Sequence, residues 1–363
     1  MPTHVFPTLV VLLFTAACTR PADDRAQQDL TVGQAEAGGI RVAVRDGLAV
    51  VRALDESKLV LWGSAPVFDV DVTVGDDTGR SLRLEVWNAL LDTAVTASDP
   101  AVTVVDEPAE LATRRAFRLE LPSGTSHLRV APPDAGAHVP LRFAVMSDVQ
   151  EAIARVGDIY ARVNAEAGVR FLFGAGDLTQ RGHDDQLARF EDELRALDVP
   201  YFTTLGNHEL GENPPRYHSW YGRGNFQFGF QGVTFTLLDS ASATIDPIVY
   251  DWLDGWLARG LGSVHIVAMH IPPLDPTGVR NGAFASRAEA AKLLGLLASS
   301  GVDLTLYGHV HSFYAFENAG IPAYISGGGG ALPERFDDMG RHFLVVDADA
   351  EQGIRGVRVV RVD

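Results

Sequence analysis

The chain has 363 residues, more than the roughly 250–300 at which one hydrophobic core usually stops growing, so two domains are expected. Apolar residues make up 46% and charged residues 21% of the chain, which argues against a largely disordered or fibrous protein. The net charge of −17 argues against general binding of nucleic acid through a basic surface.

The N-terminal residues are typical of an export signal. Val5–Ala17 is apolar, too short to span a bilayer as a helix, and ends in small residues, as a signal peptide does. Cys18 follows directly, and this arrangement resembles a bacterial lipoprotein signal. We therefore predict that residues 1–17 are a signal peptide, that Cys18 carries a lipid, and that residues 18–37 form a polar tether. The alternative is a plain cleaved signal with an incidental cysteine.

Residues 38–138 contain short stretches in which apolar and polar residues alternate. Turn sequences such as DG, GDDTG and PSGT separate these stretches. About a hundred residues with this pattern predict an all-β sandwich of immunoglobulin or fibronectin type. No histidine or aspartate cluster with metal-binding spacing falls within it, so we expect an accessory domain with a structural or binding role. The proline-rich Ala131–Pro140 marks its end.

From residue 140 to residue 363 the pattern changes to strands that alternate with helices. This alternation predicts a layered α/β domain. The predicted strands include LRFAVM, RFLFGA, YFTTL, HIVAM and LTLY, and the predicted helices cover residues 151–167, 184–197, 250–257 and 287–297.

Polar residues suited to metal binding follow five of these strands directly. They are Asp148 in SDVQ, Asp177 in GDLTQ, Asn207 and His208 in GNHE, His270 in MH, and His309 and His311 in GHVH. Ligands in open α/β sheets collect outside the carboxyl ends of the strands. A lone aspartate at such a place is more often a turn or helix cap, but the ordered set predicts a metal centre. With one cysteine in the chain, that centre must use imidazole, carboxylate and amide ligands.

The ordered motifs GDLTQ, GNHE, MH and GHVH, within residues 141–347, resemble those of the calcineurin-like metallophosphoesterases. The resemblance implies a four-layer α/β domain, in which two packed sheets are flanked by helices, with two metal ions (manganese, iron or zinc) at its edge. It also implies the ligands: Asp148 and His311 for the first ion, Asp177 shared by both, and Asn207, His270 and His309 for the second. His208 would not be a ligand but would face the phosphoryl oxygen and the leaving group.

Two positions depart from the family pattern. The first motif is usually Asp-x-His, whereas this chain has Gln150 at the third position, and the second aspartate usual after the GD motif is Gln180 here. The Gln150 carbonyl can still bind the first ion, although an amide is a poorer ligand than imidazole for zinc or iron. The alternative is a degraded first site and a one-metal protein. The two-domain layout also resembles that of purple acid phosphatases, but the tyrosine that colours those enzymes would fall at Gln180.

Together with the N-terminal signal, the resemblance implies an exported, metal-dependent phosphoesterase. It would hydrolyse small phosphate esters with a metal-bridging hydroxide, His208 would supply a proton to the leaving oxygen, and the lipid on Cys18 would hold the protein at a membrane. Phosphodiesterase or nucleotidase specificity is one alternative, and a non-catalytic surface lipoprotein whose β-domain binds a partner is another. Three arginines near the motif loops are candidates for gripping a phosphate or another anionic group: Arg181, Arg216 and Arg223.

Overall fold

The computed structural model describes residues 22–75, 78–212, 214–278, 282–334 and 338–363. The predicted signal peptide and the predicted lipid site at Cys18 lie outside these residues. Among the helices that are described, none is both long and apolar enough to cross a membrane.

The N-terminal region is rich in strands, as the alternating pattern predicts. Its strands are β1 (Gln34–Ala37), β2 (Ile40–Val44), β3 (Ala49–Leu54), β4 (Lys58–Gly63), β5 (Phe68–Val74), β6 (Arg80–Trp87), β7 (Ala94–Ala97), β8 (Thr103–Glu107), β9 (Arg114–Leu121) and β10 (Gly124–Ala131). They form two five-stranded sheets, in the orders β1-β2-β5-β10-β7 and β3-β4-β6-β9-β8. Val70 and Val72 of one sheet and Leu82 and Leu84 of the other are buried in the same hydrophobic cluster.

Residues 22–37 do not form the predicted polar tether. Residues 22–29 form a helix, α1 (Ala22–Asp29), and β1 follows it. The guanidinium of Arg25 and the carboxylate of Asp239 are both buried, with Arg25 Nε 2.5 Å from Asp239 Oδ2. The buried carboxylate of Asp29 accepts hydrogen bonds from the backbone N–H groups of Gly224 and Asn225 at 2.8 and 3.1 Å. Charged residues of a polar-looking segment are therefore buried because distant residues pair with them.

The C-terminal region is the α/β domain that the alternation predicts. Its elements are β11 (Leu141–Met146), α2 (Gly157–Asn164), β12 (Val169–Gly174), α3 (Asp184–Leu194), β13 (Tyr201–Thr203), α4 (Tyr217–Trp220), β14 (Phe226–Phe230), β15 (Val233–Leu238), α5 (Pro247–Gly260), β16 (Val264–Met269), α6 (Arg287–Ser299), β17 (Leu304–Tyr307), β18 (Phe313–Asn318), β19 (Ile321–Ser326), β20 (His342–Asp349) and β21 (Gly353–Arg361). The predicted helix over 151–167 is a 3₁₀ turn over Gln150–Arg155 followed by α2.

Two sheets form the centre of this domain, in the orders β13-β12-β11-β20-β21 and β14-β15-β16-β17-β19-β18. Phe143 of the first sheet packs edge-on against Phe235 of the second, with ring centroids 5.3 Å apart. Strands β11, β12 and β13 run parallel to one another, as do β15, β16 and β17. Parallel strands end at the same edge of a sheet, so the polar residues that follow them converge.

Local sequence signals begin the two long helices of this domain. Asp246 precedes α5, and its side chain accepts a hydrogen bond from the N–H of Ile248 at 2.8 Å, while Pro247 occupies the first helical turn. Ser286 precedes α6, and its hydroxyl accepts from the N–H of Glu289 at 3.2 Å.

The two regions are joined by specific polar contacts. Asn88 hydrogen-bonds both backbone groups of Tyr201: its Nδ2 donates to the carbonyl at 2.8 Å, and its Oδ1 accepts from the N–H at 2.7 Å. Arg52 of β3 lies 2.9 Å from the carboxylate of Glu191 in α3 and covers the Trp220 ring at 4.6 Å. These contacts fix the N-terminal sheets against the α/β domain.

Candidate metal centre

The structure brings all the residues of the predicted metal centre to one edge of the paired sheets. Asp148 follows β11, Asp177 follows β12, Asn207 and His208 follow β13, His270 follows β16, and His309 and His311 follow β17. Each side chain therefore reaches the site from the carboxyl end of a strand, as the sequence predicts.

Sharp backbone turns aim these side chains. Asp148, Gln150, Asp177 and His309 have positive φ angles of 63, 47, 54 and 70°, a conformation that residues other than glycine rarely adopt. Gly176 also has a positive φ, and a Cβ at this position would lie 2.7 Å from the backbone nitrogen of Gly206. Only glycine lets the loop that carries Asp177 approach the loop that carries Asn207 so closely.

One half of the site gathers the residues assigned to the second ion. Ligand atoms of Asp177, His270 and His309 lie within 4.8 Å of one another. His270 Nε2 is 3.2 Å from Asp177 Oδ2 and 3.1 Å from Asn207 Oδ1. A carboxylate, an amide oxygen and two imidazoles in this space suit a divalent transition metal.

Backbone carbonyls orient three of the histidines. The Nδ1 atoms of His208, His270 and His311 lie 2.8, 2.7 and 2.7 Å from the carbonyl oxygens of Gln180, Ala175 and Leu332. A carbonyl oxygen only accepts, so each Nδ1 must carry the hydrogen. The Nε2 atoms are thus left to face the site, which is how proteins commonly orient imidazoles that bind a metal.

The other half of the site contains Asp148, Gln150 and His311. Asp148 Oδ2 accepts hydrogen bonds from the N–H of His309 at 3.0 Å and from the Ser147 hydroxyl. Asp148 Oδ1 is buried 3.4 Å from His311 Nε2 and has no hydrogen-bond partner of normal geometry among the described residues. A buried carboxylate oxygen that accepts no hydrogen bond is energetically costly. A cation beside Asp148 Oδ1 would remove this cost. The residues present therefore fit a metal ion.

Gln150 is in place but presents its amide nitrogen. Its Nε2 lies 2.8 Å from Asp177 Oδ2 and 3.1 Å from His311 Nε2, both atoms of the ligand set. To bind a metal, the amide group must rotate so that its oxygen, in place of its nitrogen, faces Asp177 and His311. Gln150 therefore lies where the sequence predicts it, beside the other candidate ligands. That it binds a metal stays a prediction.

The charges of the site alter the protonation of its members. Burial opposes ionisation of Asp148, but contact with His311 and the charge of His270 together lower its pKa below the ordinary value. Burial likewise disfavours the charged form of His270, yet the charge of Asp177 raises its pKa to about 9. Burial and the neighbouring His270 lower the pKa of His309 to about 4. A metal ion that binds His270 must therefore displace a proton, so its affinity should fall as the pH is lowered.

Glu209 joins the two loops that carry Asp177 and Asn207. Its buried carboxylate accepts hydrogen bonds from the N–H of Thr179 at 3.0 Å and from the N–H of Gly206 at 2.9 Å. Burial, and then repulsion from Asp177, raise the pKa of Glu209 to about 8. This side chain therefore sets the spacing of the two loops.

Sequence reasoning did not identify Ser147 or Leu332 as parts of the site. Ser147 supports Asp148 through its hydroxyl, and Leu332 contributes only a backbone carbonyl, so its side-chain type carries no signal. Gln180 likewise contributes its carbonyl oxygen to His208. Arg223, one of the three candidate arginines, lines a cleft away from the metal ligands.

Comparison with known proteins agrees with this geometry. Residues 141–313 match the family model of the calcineurin-like phosphoesterases. No curated protein matches the chain. Among solved structures, a purple acid phosphatase from yellow lupin seeds is 15% identical, with 82% of this chain and 70% of that chain covered at a TM-score of 0.52.

Two other solved structures are similar over a smaller part of the chain. GAP50, described as the anchor in the inner membrane complex of Plasmodium, is 18% identical over 62% of this chain and 85% of its own, at a TM-score of 0.46. A dimetal phosphatase from Danio rerio is 15% identical over 61% of this chain and 99% of its own, at a TM-score of 0.47. Residues 141–313 therefore match the calcineurin-like phosphoesterase family model, and the chain shares its fold with the lupin enzyme.

Proposed function

We propose that this protein is a metal-dependent phosphoesterase that hydrolyses small phosphate esters at a centre of two metal ions. The proposal rests above all on His208. Its side chain is 28% exposed, whereas the neighbouring Asp177 is 1% exposed, and His208 Nε2 lies 3.9 Å from Asp177 Oδ2. An oriented imidazole at the open side of a buried ligand cluster is placed to meet a substrate that enters from solvent.

In this proposal Asp177 is shared by both ions. Asp148, Gln150 and His311 complete the first position, and Asn207, His270 and His309 complete the second. When bound, the ions supply Lewis-acid activation of water and of the phosphoryl group. The buried aspartates and Nδ1-anchored histidines hold the donor atoms in place before substrate arrives, so little reorganisation is needed during the reaction.

His208 acts on the leaving group. Its Nδ1 hydrogen is used by the Gln180 carbonyl, so only Nε2 can exchange a proton with substrate. Protonated at Nε2, the imidazole donates that proton to the oxygen that departs from phosphorus. Afterwards the neutral ring takes a proton from solvent, for which its exposure is suited.

The experiment that tests the proposal is metal-supplemented hydrolysis of aryl phosphate monoesters and diesters by the purified protein. Saturable, metal-dependent turnover that chelation removes is the expected result. The ratio of the two rates decides between phosphomonoesterase and phosphodiesterase activity. No turnover with any supplied metal would leave the non-catalytic lipoprotein as the better account.

Changing Gln150 should alter the two metal positions unequally. Gln150→His would restore an imidazole beside Asp177 and His311, so we expect tighter binding at the first position and a preference shifted toward zinc or iron. Gln150→Ala should lower occupancy of the first position and leave the second ion bound. Metal content after mild chelation, with activity of the same samples, measures this. If Gln150→Ala leaves both occupancies and the rate unchanged, Gln150 is not a ligand.

We also propose that the protein is exported and anchored by a lipid on Cys18. The apolar Val5–Ala17 before this cysteine supports the proposal. Cys18→Ala should move the protein from the membrane fraction to the soluble extracytoplasmic fraction, because no second lipid signal is predicted. Fractionation and immunoblotting measure the shift. A wild-type protein that is already soluble outside the cytoplasm would contradict the lipid anchor.

For the N-terminal sheets we propose an immunoglobulin-like accessory domain. Two five-stranded sheets that share one hydrophobic cluster support this, although β4 and β6 pair in parallel.

A further inference from the structure

A cleft rich in arginine lies where the N-terminal sheets meet the α/β domain. It has a volume of about 380 Å³ and is lined from both regions. Its charged residues are Arg45, Asp46, Asp69, Arg129, Arg223 and Arg259, four cations against two anions. This local excess of two positive charges is opposite in sign to the net charge of −17 of the whole chain. None of these residues belongs to the candidate metal centre.

The acidic residues of the cleft do not neutralise all the arginines. Asp69 lies 3.2 Å from Arg129 and 3.6 Å from Arg45, so one carboxylate serves two guanidinium groups. Arg259 donates from Nε to the neutral amide oxygen of Gln227 at 3.1 Å. Within the described part of the chain the remaining donors of these guanidinium groups have no partner, so an anion could accept from them.

Arg223 is the strongest indication of a ligand. Its Nε is buried without a hydrogen-bond partner among the described residues. The nearby Asp29 already accepts three hydrogen bonds, from the N–H of Gly224 and from the N–H and Nδ2 of Asn225. Burial lowers the pKa of the Arg223 guanidinium from its ordinary value. The charges of Asp29 and Asp46 partly offset this effect, but Arg223 forms no ion pair with a carboxylate among the described residues. A partly buried cation in this state is costly, and a bound anion would offset that cost.

The position of Arg223 also connects the two regions. A Cβ at Gly47 would lie 2.1 Å from Arg223 Nε, so this arginine of the α/β domain crosses directly over the backbone of the N-terminal region. An anion held here would touch groups of both regions at once. Its binding should therefore stabilise their packing.

We propose that this cleft binds a small phosphate-type dianion, free or as part of a small organic phosphate, with Arg223 and Arg129 as its principal donors. The excess of two positive charges matches a dianion, and planar guanidinium groups match the paired oxygens of a phosphate. The cleft volume lies within the range of small-molecule sites.

Equilibrium dialysis of the manganese-loaded full-length protein against labelled inorganic phosphate tests the proposal. We expect wild type to bind phosphate at two places, the metal centre and the cleft. Arg223→Gln should weaken the cleft component at least tenfold and leave phosphate inhibition of hydrolysis unchanged. Asp177→Asn should retain the cleft component and lose the other. Sulfate should compete at the cleft, whereas acetate should not.

Arg118→Gln is the matched control, because Arg118 is exposed on β9, pairs with Glu107 and does not line the cleft. It should bind phosphate as wild type does. If Arg223→Gln does not fold, Arg129→Gln, an exposed change, should weaken the cleft component severalfold. Wild-type binding by both cleft variants would overturn the proposal, and so would loss of all binding in Asp177→Asn. If wild type and Asp177→Asn each bind one phosphate that Arg223→Gln loses, the cleft stands and the proposed phosphoesterase centre fails.

Discussion

Replacing Asp177 with asparagine is expected to lower kcat/KM by roughly a thousandfold or more and to remove much of the bound metal. Asp177 Oδ2 is the atom around which the site is built: Gln150 Nε2 lies 2.8 Å from it and His270 Nε2 lies 3.2 Å from it. In the proposed two-metal centre, asparagine removes the one charge that both metal positions would share. The amide cannot hold two cations close together against their mutual repulsion.

The substitution leaves the local backbone intact, so the loss can be assigned to charge. Asparagine tolerates the positive φ of 54° at this position. In the wild type the backbone N–H of His208 donates to Asp177 Oδ1 at 2.9 Å, and the Oδ1 of asparagine can accept the same hydrogen bond. Asp254→Asn, an exposed change on α5, is the control and should keep activity and metal content. Metal content by elemental analysis and the rate of hydrolysis are measured on the same samples of each variant. Two metals per chain and a rate close to wild type in Asp177→Asn would refute the shared carboxylate.

His208→Ala is expected to lower kcat by about 10²–10⁴-fold while metal content stays unchanged. His208 is the proposed proton donor and lies outside the group of ligand atoms formed by Asp177, His270 and His309; its Nδ1 is bound to the Gln180 carbonyl, and its Nε2 is 3.9 Å from Asp177. The loss should depend on the leaving group. An alkyl phosphate, whose alkoxide leaves poorly without a proton, should suffer more than a nitrophenyl phosphate.

Rates for a series of phosphate monoesters with graded leaving-group pKa values measure this dependence. His127→Ala, on β10 and 58% exposed, is the matched control and should leave the series unchanged. An equal loss for every leaving group, accompanied by loss of metal, would show that His208 supports the site instead of donating a proton.

The convergence of the candidate metal ligands could be predicted because these residues are tied to local patterns. Asp148, Asp177 and His270 each follow an apolar strand, and parallel strands deliver such residues to one edge regardless of what else the chain does. The direction in which Gln150 points its amide has no such signal. It depends on Asp177 and His311, which are brought beside it only by the fold.

Two other features could not be predicted for a related reason. Helix α1 has a polar sequence, and its burial depends on the ion pair between Arg25 and Asp239, residues 214 positions apart. The arginine-rich cleft likewise joins Arg45 and Arg129 to Arg223 across the boundary of the two regions. Pairing partners far apart in sequence leave no periodicity, so a segment's own composition suggests solvent exposure where the fold provides burial.

The strained turns of the metal centre have a consequence for how long the protein survives. Asp148, Gln150, Asp177 and His309 all hold left-handed backbone conformations, each at a cost of about 1–3 kcal/mol, and two of them are buried carboxylates close to each other. Cations that bind only the folded chain offset this cost through mass action. When metal is scarce, a larger fraction of chains opens at these loops, and proteases cleave opened chains first. In the proposed metal-dependent enzyme, the supply of metal ions would therefore govern the abundance of the protein as well as its rate.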